Sequence, residues 1–223
     1  MNIASYIDHT ILKQTTGKND VATVCQEAKD YGFAAVCIPP VFVKQAAESL
    51  KDSDIKVATV IGFPFGYTFT SIKEQEALNA IKAGAQELDM VINVGALKEG
   101  NEAYVEKEVA SLAKLSRKHS IALKVIVESG ILTEKELLTC CRLLGAHEIS
   151  FMKTSTGYAE QGATVEAVQV MRHHLPSHIQ IKASGGIRTY DFAKQLVDAG
   201  ATRLGCSASV AITKGENSAS SNY

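Results

Sequence analysis

Short runs of apolar and β-branched residues recur along the chain and alternate with longer segments in which apolar residues have helical spacing. Each run is too short for a core helix, and nearly all of its positions are apolar, as in parallel strands that are covered on both faces. We interpret eight of these runs as strands, at residues 6–12, 34–38, 56–61, 88–93, 122–127, 149–153, 179–182 and 203–205.

The segments between the runs predict helices at residues 20–31, 71–83, 102–117, 134–144, 164–174 and 190–199. Several of these segments are followed by a glycine, which readily adopts the left-handed conformation of a C-terminal helix cap. We expect such caps at Gly32, Gly84, Gly145 and Gly200.

Eight strand and helix units in succession predict an α/β protein with a single-domain (β/α)8 TIM barrel at residues 1–214. No Gly/Ser-rich linker interrupts the alternation. The structural alternative is a doubly wound open sheet. That fold needs fewer strands and usually has a glycine-rich turn after its first strand, which this sequence lacks. Residues 215–223 are small and polar, and we expect them to form a flexible C-terminal tail.

Composition narrows the classes of protein. The chain has 223 residues, enough for one core to bury most of its apolar surface, and 23 Lys and Arg residues balance 24 Asp and Glu residues. This balance predicts no nucleic-acid or membrane partner. Five cysteines without C-x-x-C spacing favour neither a disulfide framework nor a zinc site, and the scattered histidines predict no metal. We expect a cytoplasmic protein without a leader segment or a cofactor.

Four charged residues interrupt consecutive apolar runs: Asp89, Lys124, Lys153 and Lys182. In a (β/α)8 barrel the active site is built at the carboxyl ends of the strands, so charges there are candidates for chemistry. The alternative is that such lysines only extend their ammonium groups to water. Four charges on four successive strands favour the functional interpretation.

Lys153 and Lys182 are separated by about one strand and helix unit, which predicts that they lie on neighbouring strands. Two ammonium groups ~5 Å apart would repel each other by about 3 kcal/mol at an effective dielectric constant of ~20. Our hypothesis is that this repulsion keeps one lysine neutral, as a Schiff-base nucleophile requires. Asp89 is then a candidate for proton transfer, or for a salt bridge to Lys124 or Lys182. These two roles do not exclude each other.

Glycine and hydroxyl residues follow the last three strands, where barrel enzymes commonly bind phosphate. We interpret these loops as an anion site, to which Arg188 adds charge, whereas each loop alone would indicate only a turn. Two residues at the ends of earlier strands have alternative interpretations. Cys37 is a small buried residue or lines the barrel mouth, and Asp8 contacts a substrate hydroxyl or caps a turn.

Six motifs resemble the deoxyribose-phosphate aldolase family, and together they span almost the whole chain. They are Ile-Asp-His-Thr at Asp8, Val-Cys-Ile-Pro-Pro at Cys37, Val-Ile-Gly-Phe-Pro-Phe-Gly at residues 60–66, Glu-Leu-Asp-Met-Val-Ile-Asn at Asp89, Phe-Met-Lys-Thr-Ser-Thr-Gly at Lys153 and Ile-Lys-Ala-Ser-Gly-Gly-Ile-Arg at Lys182.

The resemblance implies a class I aldolase that cleaves 2-deoxy-D-ribose 5-phosphate reversibly into D-glyceraldehyde 3-phosphate and acetaldehyde, without a metal, and that forms a homodimer. It implies that Lys153 is the nucleophile, that Lys182 perturbs it, and that Asp89 donates and accepts protons. It also places Asp8 near the substrate hydroxyls and Cys37 beside the aldehyde pocket. The expected phosphate and substrate contacts are Thr154, Gly157, Gly185, Gly186, Arg188, Gly205 and Ser207.

The chain departs from the family pattern at Tyr158, where some members have a lysine, and at Ala208, where a second serine is common. Both changes weaken the expected binding of phosphate. The Ser-rich tail that ends in Tyr223 resembles family tails, and its phenol is a candidate proton shuttle. Two other functions stay open: a barrel isomerase or synthase that uses Lys153 only to hold an anion, and a sugar-phosphate-binding protein without catalysis.

Overall fold

The structure, a computed structural model, describes residues 1–216. Parallel strands form a closed barrel in which each strand pairs with the next along the chain and the last pairs with the first. The strands are β1 (Ile7–Thr10), β2 (Ala35–Ile38), β3 (Lys56–Ile61), β4 (Glu87–Val91), β5 (Ala122–Ile126), β6 (Phe151–Lys153), β7 (Gln180–Ser184) and β8 (Arg203–Cys206).

Helices surround the barrel in the described part of the chain. They are α1 (Lys18–Tyr31), α2 (Val43–Leu50), α3 (Thr70–Ala83), α4 (Val94–Lys98), α5 (Glu102–Lys118), α6 (Glu134–Gly145), α7 (Val165–His174), α8 (Tyr190–Asp198) and α9 (Ser209–Lys214). Short 3-10 helices lie at Ile3–Tyr6, Pro40–Phe42 and Ser129–Ile131.

The predicted (β/α)8 barrel is confirmed, because β8 pairs with β1 and leaves no open edge of the doubly wound kind. The bounds of β3 agree with the sequence pattern, and the other strand bounds differ by a few residues. The pattern gives no bounds for α2, α4 or α9. Gly32 and Gly84 cap their helices in the left-handed conformation, but Gly145 lies inside α6 and Ala146 is the cap, so that expectation is wrong.

Alternation along the strands separates two layers of buried side chains. Val36 and Ile38 of β2 face outward into the large core beneath the helices, whereas Cys37 belongs to a second, smaller apolar cluster inside the barrel. This inner cluster also contains Leu12, Ala58 and Val60, all buried. The charged side chains of the barrel interior form the candidate site.

One glycine fixes the loop after β3 against β4. Gly66 has a φ of 71°, and a Cβ atom there would lie 1.9 Å from the carbonyl oxygen of Ile92. Only glycine tolerates this approach, because any side chain would overlap the backbone. The loop that carries Phe63 and Phe65 is therefore held close to the barrel mouth.

Candidate active site

The strand register places the charged residues of neighbouring strands side by side. Lys153 of β6 pairs with Lys182 of β7, and Asp89 of β4 pairs with Lys124 of β5. Paired residues of parallel strands point to the same side of the sheet, so all four side chains enter the barrel interior. The expected proximity of Lys153 and Lys182 is thus present in the register.

Asp89 lies at the centre of this group. Its Oδ1 atom accepts from the Nζ of Lys124 at 2.7 Å, and its Oδ2 atom accepts from Lys153 at 2.8 Å and from Lys182 at 2.7 Å. Burial raises the pKa of this carboxyl group, but the three ammonium groups outweigh burial and hold the pKa well below its usual range. The salt bridges that the sequence offered as an alternative are both present, and Asp89 rests as a carboxylate.

The two neighbouring lysines differ in their protonation. Burial is the largest influence on Lys153 and lowers its pKa, Asp89 opposes this effect, and the charge of Lys182 lowers the pKa further. Burial also lowers the pKa of Lys182, but Asp8 and Asp89 outweigh it, so the pKa of Lys182 is raised. The charge of Lys182 lowers the pKa of Lys153 as the hypothesis expects, and desolvation contributes more than Lys182 does.

The charges continue toward the amino ends of the strands, below the expected site. The guanidinium of Arg203 donates to Oδ1 of Asp8 at 2.6 Å and to Glu87 at 3.2 Å, and Lys124 lies 2.6 Å from Glu87. Arg203 also covers the ring of Phe151, with 5.4 Å between guanidinium carbon and ring centroid. Sequence reasoning did not single out Glu87 or Arg203. Strand alternation could have found Glu87, which lies two residues before Asp89 on the same face.

Within the described chain, four basic side chains therefore meet three acidic ones inside the barrel. We call this set the interior charge network; its members are Lys124, Lys153, Lys182, Arg203, Asp8, Glu87 and Asp89. If Lys153 loses its proton, the charges of the network balance. This balance and the burial of Lys153 both favour the neutral amine.

Two residues expected to contact substrate have other partners. Asp8 is fully buried, with Oδ2 bonded to Lys182 and Oδ1 bonded to Arg203. The hydroxyl of Thr154 donates to the carbonyl oxygen of Ser184 at 3.2 Å and accepts from its N–H at 3.0 Å. In this structure Asp8 holds Lys182, and the Thr154 side chain joins the ends of β6 and β7. Their contacts with substrate stay a prediction.

Three glycines of the expected anion site lie in close-packed turns at the barrel mouth, and the fourth, Gly205, lies in β8. Gly157, Gly185 and Gly186 have φ values of 90°, 85° and 75°, and a Cβ atom at Gly185 would lie 3.4 Å from the Cα of Gly157. A Cβ atom at Gly205 would lie 2.8 Å from the Ser184 side chain. Ser207 and Arg188 are exposed in the same region. Backbone N–H groups in such turns form concave anion sites.

Tyr158, one of the two departures from the family pattern, crosses the barrel mouth. Its hydroxyl donates to the carbonyl oxygen of Leu12 at 2.8 Å, and its ring meets Phe63 edge to face with 5.4 Å between centroids. It thus joins the loop after β6 to the loop after β1. Ala208, the other departure, is buried and offers no hydroxyl.

Glu128 at the end of β5 supports the loop that follows Lys153. Its φ of 57° is unusual for a side chain larger than glycine, and such strained positions cluster at functional sites. Its carboxylate accepts from the N–H of Thr156 at 3.1 Å and from the Thr156 hydroxyl. Burial is the main reason that its pKa is raised. Neither Glu128 nor Thr156 was predicted from the sequence.

Ser155 stands between Lys153 and the glycine turns. Its side chain is 1% exposed, and its hydroxyl has no hydrogen-bond partner among the described residues. A buried hydroxyl without a partner costs about 1–3 kcal/mol. The Ser184 hydroxyl donates to the Ser155 carbonyl oxygen at 2.6 Å, which fixes the backbone there.

Cys37 is fully buried in the inner apolar cluster, as its interpretation as a small buried residue predicts, and burial raises the pKa of its thiol. Tyr223, the candidate proton shuttle, lies outside the described residues. Among residues 1–216, no helix is long and apolar enough to span a bilayer, and no group of three His, Cys, Asp or Glu side chains is placed to hold a metal ion.

Comparisons with known proteins agree with one another. The sequence model described as DeoC/LacD family aldolase matches residues 2–213. The chain is 48% identical over 223 residues to the deoxyribose-phosphate aldolase of Streptococcus gordonii, covering 100% of both chains. It is 47% identical over 215 residues to that of Caldanaerobacter subterraneus subsp. tengcongensis, covering 96% of this chain and 93% of the relative.

A solved structure is also similar to this chain over most of its length. The tetrameric deoxyribose phosphate aldolase from Aeropyrum pernix has a TM-score of 0.89 and is 31% identical, covering 95% of this chain and 89% of that chain. The similarity in structure therefore accompanies the similarity in sequence.

Proposed function

Because the chain belongs to the DeoC/LacD family of aldolases, we propose that it cleaves 2-deoxy-D-ribose 5-phosphate reversibly into D-glyceraldehyde 3-phosphate and acetaldehyde. The enzyme is a lyase, and the resemblance found in its sequence motifs is confirmed. One observation carries the mechanism. The buried amine of Lys153, whose pKa is lowered, lies 2.8 Å from Asp89, and the charged Lys182 is its neighbour on the adjacent strand. We propose no cofactor.

In the cleavage direction, the neutral amine of Lys153 attacks the C1 aldehyde of the open-chain sugar, and loss of water gives a protonated imine. Removal of the C3 hydroxyl proton then breaks the C2–C3 bond. The bonding electrons move into the imine, which becomes an enamine, and C3 becomes the aldehyde carbon of glyceraldehyde 3-phosphate. Protonation at C2 and hydrolysis release acetaldehyde and restore Lys153.

We assign the proton transfers of imine formation and of the C3 hydroxyl to Asp89 and Lys182. Oδ2 of Asp89 accepts from both lysines, so a proton can pass between them through one oxygen atom. Asp89 rests as a carboxylate and suits the acceptor role, whereas Lys182 is charged and suits the donor role. Asp8 helps to keep Lys182 charged.

Borohydride trapping tests the imine. In the presence of acetaldehyde, borohydride should leave an N-ethyl group on Lys153, detected by peptide mass spectrometry. Lys153→Ala should show neither the adduct nor cleavage, and Lys44→Ala, which changes an exposed lysine, should behave like the wild type. An adduct on Lys182 in Lys153→Ala would reverse the assignment. No adduct in the wild type would favour an isomerase, a synthase or a binding protein.

We propose that the glycine turns after β6, β7 and β8 bind the substrate phosphate. Backbone N–H groups at Gly157, Gly185 and Gly186, with the exposed Ser207 after β8, support this role, and Arg188 adds positive charge. Gly205 lies within β8, and we propose that its lack of a side chain lets the substrate approach there. Ser207→Asp should raise KM for the phosphorylated sugar far more than for unphosphorylated deoxyribose, because a carboxylate repels phosphate. Equal effects on both sugars would place the phosphate elsewhere.

We propose that the enzyme is a homodimer in the cytoplasm, without nucleic-acid or membrane partners. An exposed apolar patch after β3 supports a second copy as partner: Phe65, Tyr67 and Phe69 are 59%, 74% and 76% exposed. Phe69→Asp should convert the dimer to a monomer in sedimentation velocity. A Phe69→Asp variant that sediments like the wild type would place the interface elsewhere.

Tyr223 keeps its expected role as a proposal based on the resemblance of the tail. The phenol would exchange protons at the acetaldehyde methyl carbon, which Asp89 and Lys182 reach less easily. Deletion of Tyr223 should slow exchange of these methyl protons with deuterated water while imine trapping continues. Unchanged exchange and turnover would remove Tyr223 from the mechanism.

A further inference from the structure

Five buried side-chain atoms in the described part of the chain lack a hydrogen-bond partner, and one of them lies beside the nucleophile. The residues are Thr16, Ser116, Ser129, His147 and Ser155. Ser155 differs from the others because it continues the strand that carries Lys153. A buried hydroxyl is usually paired, so an unpaired hydroxyl inside an active site indicates a partner that arrives with the ligand.

The direction of the Ser155 side chain follows from its neighbours. Thr154 bonds sideways to the backbone of β7, and alternation along an extended chain returns residue 155 to the side of Lys153. The Cβ atom of Ser155 lies 3.5 Å from the position that a Cβ atom of Gly185 would occupy. Ser155 is therefore above Lys153 and next to the proposed phosphate turn.

We propose that the Ser155 hydroxyl binds the C4 hydroxyl of the sugar, which is the 2-hydroxyl of glyceraldehyde 3-phosphate, and makes the enzyme select hydroxylated acceptor aldehydes. This inference rests on the proposed function, which places C1 on Lys153 and the phosphate near Gly185. C4 is the carbon next to the one that bears phosphate. The C3 hydroxyl must instead face a proton acceptor, and that requirement is met by Asp89.

The test uses the synthetic direction, with acetaldehyde as donor and three acceptors: glyceraldehyde 3-phosphate, 3-phosphooxypropanal, which lacks the 2-hydroxyl, and unphosphorylated glyceraldehyde. Ser155→Ala should lower kcat/KM for glyceraldehyde 3-phosphate by roughly 10-fold or more and leave 3-phosphooxypropanal nearly unchanged. Ser155→Thr keeps a hydroxyl and should retain the preference for glyceraldehyde 3-phosphate.

Ser116→Ala is the matched control, because it removes another buried hydroxyl without a partner, on α5 away from the barrel mouth. It should leave all three acceptors unchanged. Thermal unfolding provides a second measurement: Ser155→Ala removes a polar atom that has no partner in the free enzyme, so its Tm should equal or exceed that of the wild type.

Three results would overturn the proposal. Equal loss with both phosphorylated acceptors and none with glyceraldehyde would assign Ser155 to the phosphate. Equal loss with all three acceptors would show a structural role only, as would a lowered Tm. Borohydride trapping with acetaldehyde separates these results from failure of the proposed function. A Lys153 adduct at the wild-type rate in Ser155→Ala keeps the imine step, whereas no adduct in the wild type removes the premise.

Discussion

The two sides of the barrel interior have opposite chemistry. Along β2 and β3 the inward side chains are small and uncharged, with Cys37, Ala58 and Val60 in one apolar cluster that Phe63 covers. Along β4 to β8 and β1 each strand contributes at least one charged inward side chain to the interior charge network, beside buried apolar residues such as Ile126. Lys153 lies on the charged side, beside Lys182 and 2.8 Å from Oδ2 of Asp89.

The comparison shows how one barrel sets two lysines to different states. Lys153 is buried in the barrel, and burial is the largest reason that its pKa is lowered. The charged side surrounds Lys182 with carboxylates and keeps it protonated. A neutral nucleophile and a charged proton donor can therefore stand on adjacent strands. We expect the apolar side to receive the methyl group of acetaldehyde.

The largest effect is expected from removing the Asp89 carboxylate, which contacts three lysines on the charged side. Asp89→Asn leaves Lys124 and Lys182 without a buried carboxylate between them, which should cost about 3–5 kcal/mol of unfolding free energy. It also removes the proton acceptor, which should lower kcat about 100- to 10,000-fold. Urea unfolding and the cleavage rate measure both effects.

Asp52→Asn is the control for this substitution, because Asp52 is exposed and far from the barrel interior. It should change neither the unfolding free energy nor kcat. A stability of Asp89→Asn equal to that of the wild type would contradict the view that the carboxylate holds the ammonium groups together.

A smaller effect is expected when the charged side loses its proton donor. Lys182→Met removes a positive charge that lowers the pKa of Lys153. The pKa of Lys153 should therefore rise. The pH at which borohydride trapping reaches half of its maximal rate should be higher by roughly one to two units. Trapping on Lys153 itself should persist. Lys56→Met, at the exposed start of β3, should leave the pH profile in place. A trapping profile of Lys182→Met that moves to lower pH would contradict the view that Lys182 lowers the pKa of Lys153.

The third effect concerns the charges near the amino ends of the strands. Arg203→Met removes a partner of Asp8 and Glu87 and should cost about 2 kcal/mol of unfolding free energy, since the Arg203 side chain is 16% exposed and partly screened. Arg142→Met removes an exposed ion pair with Glu102 and should cost far less. Equal losses in the two variants would contradict a distinct role for the buried network.

Unfolding at low pH provides a second measurement for Arg203→Met. Burial raises the pKa of Asp8, but Lys182, Lys124 and Arg203 together lower it well below its ordinary value. Its ionised form thus contributes stability above about pH 4, and that contribution is lost as pH falls through the folded pKa. Arg203→Met raises this pKa, so acid unfolding should begin at a higher pH than in the wild type.

The smallest effect is expected on the apolar side. Val60→Thr keeps the shape of the side chain but adds a hydroxyl inside the barrel, which should cost about 1 kcal/mol of unfolding free energy. Because Lys153 becomes less desolvated, its pKa should rise slightly. Val41→Thr, at a position that is 82% exposed, is the control and should be neutral. A greater loss of unfolding free energy in Val60→Thr than in Arg203→Met would contradict the expected order of the two sides.

The sequence predicts the barrel well because parallel strands buried on both faces are nearly continuous apolar runs. The runs at residues 56–61 and 122–127 each correspond to one strand, and the spacing of Lys153 and Lys182 matches adjacent strands. Short helices such as α4 and α9 give too few turns to show a clear periodicity.

The candidate site was predicted less completely because side-chain partners depend on the closed ring of strands. Asp8 and Lys182 meet because β1 and β7 both flank β8, a contact between residues that are far apart in the chain. Likewise, burial lowers the pKa of Lys153 only once the closed barrel surrounds it, which no single motif reveals. The unpaired hydroxyl of Ser155 becomes visible only when all its neighbours are in place.

Closure of the barrel also determines which interactions dissolved ions can reach. Mobile counterions screen charges over about 8 Å at physiological ionic strength, but only where they can enter the surrounding solvent. Lys124, Lys182 and Asp89 are fully buried, whereas Ser207 and Arg188 are exposed at the barrel mouth. Added salt should therefore weaken capture of the phosphorylated sugar and raise its KM, while the pKa of Lys153 and the rate of imine formation with acetaldehyde stay constant.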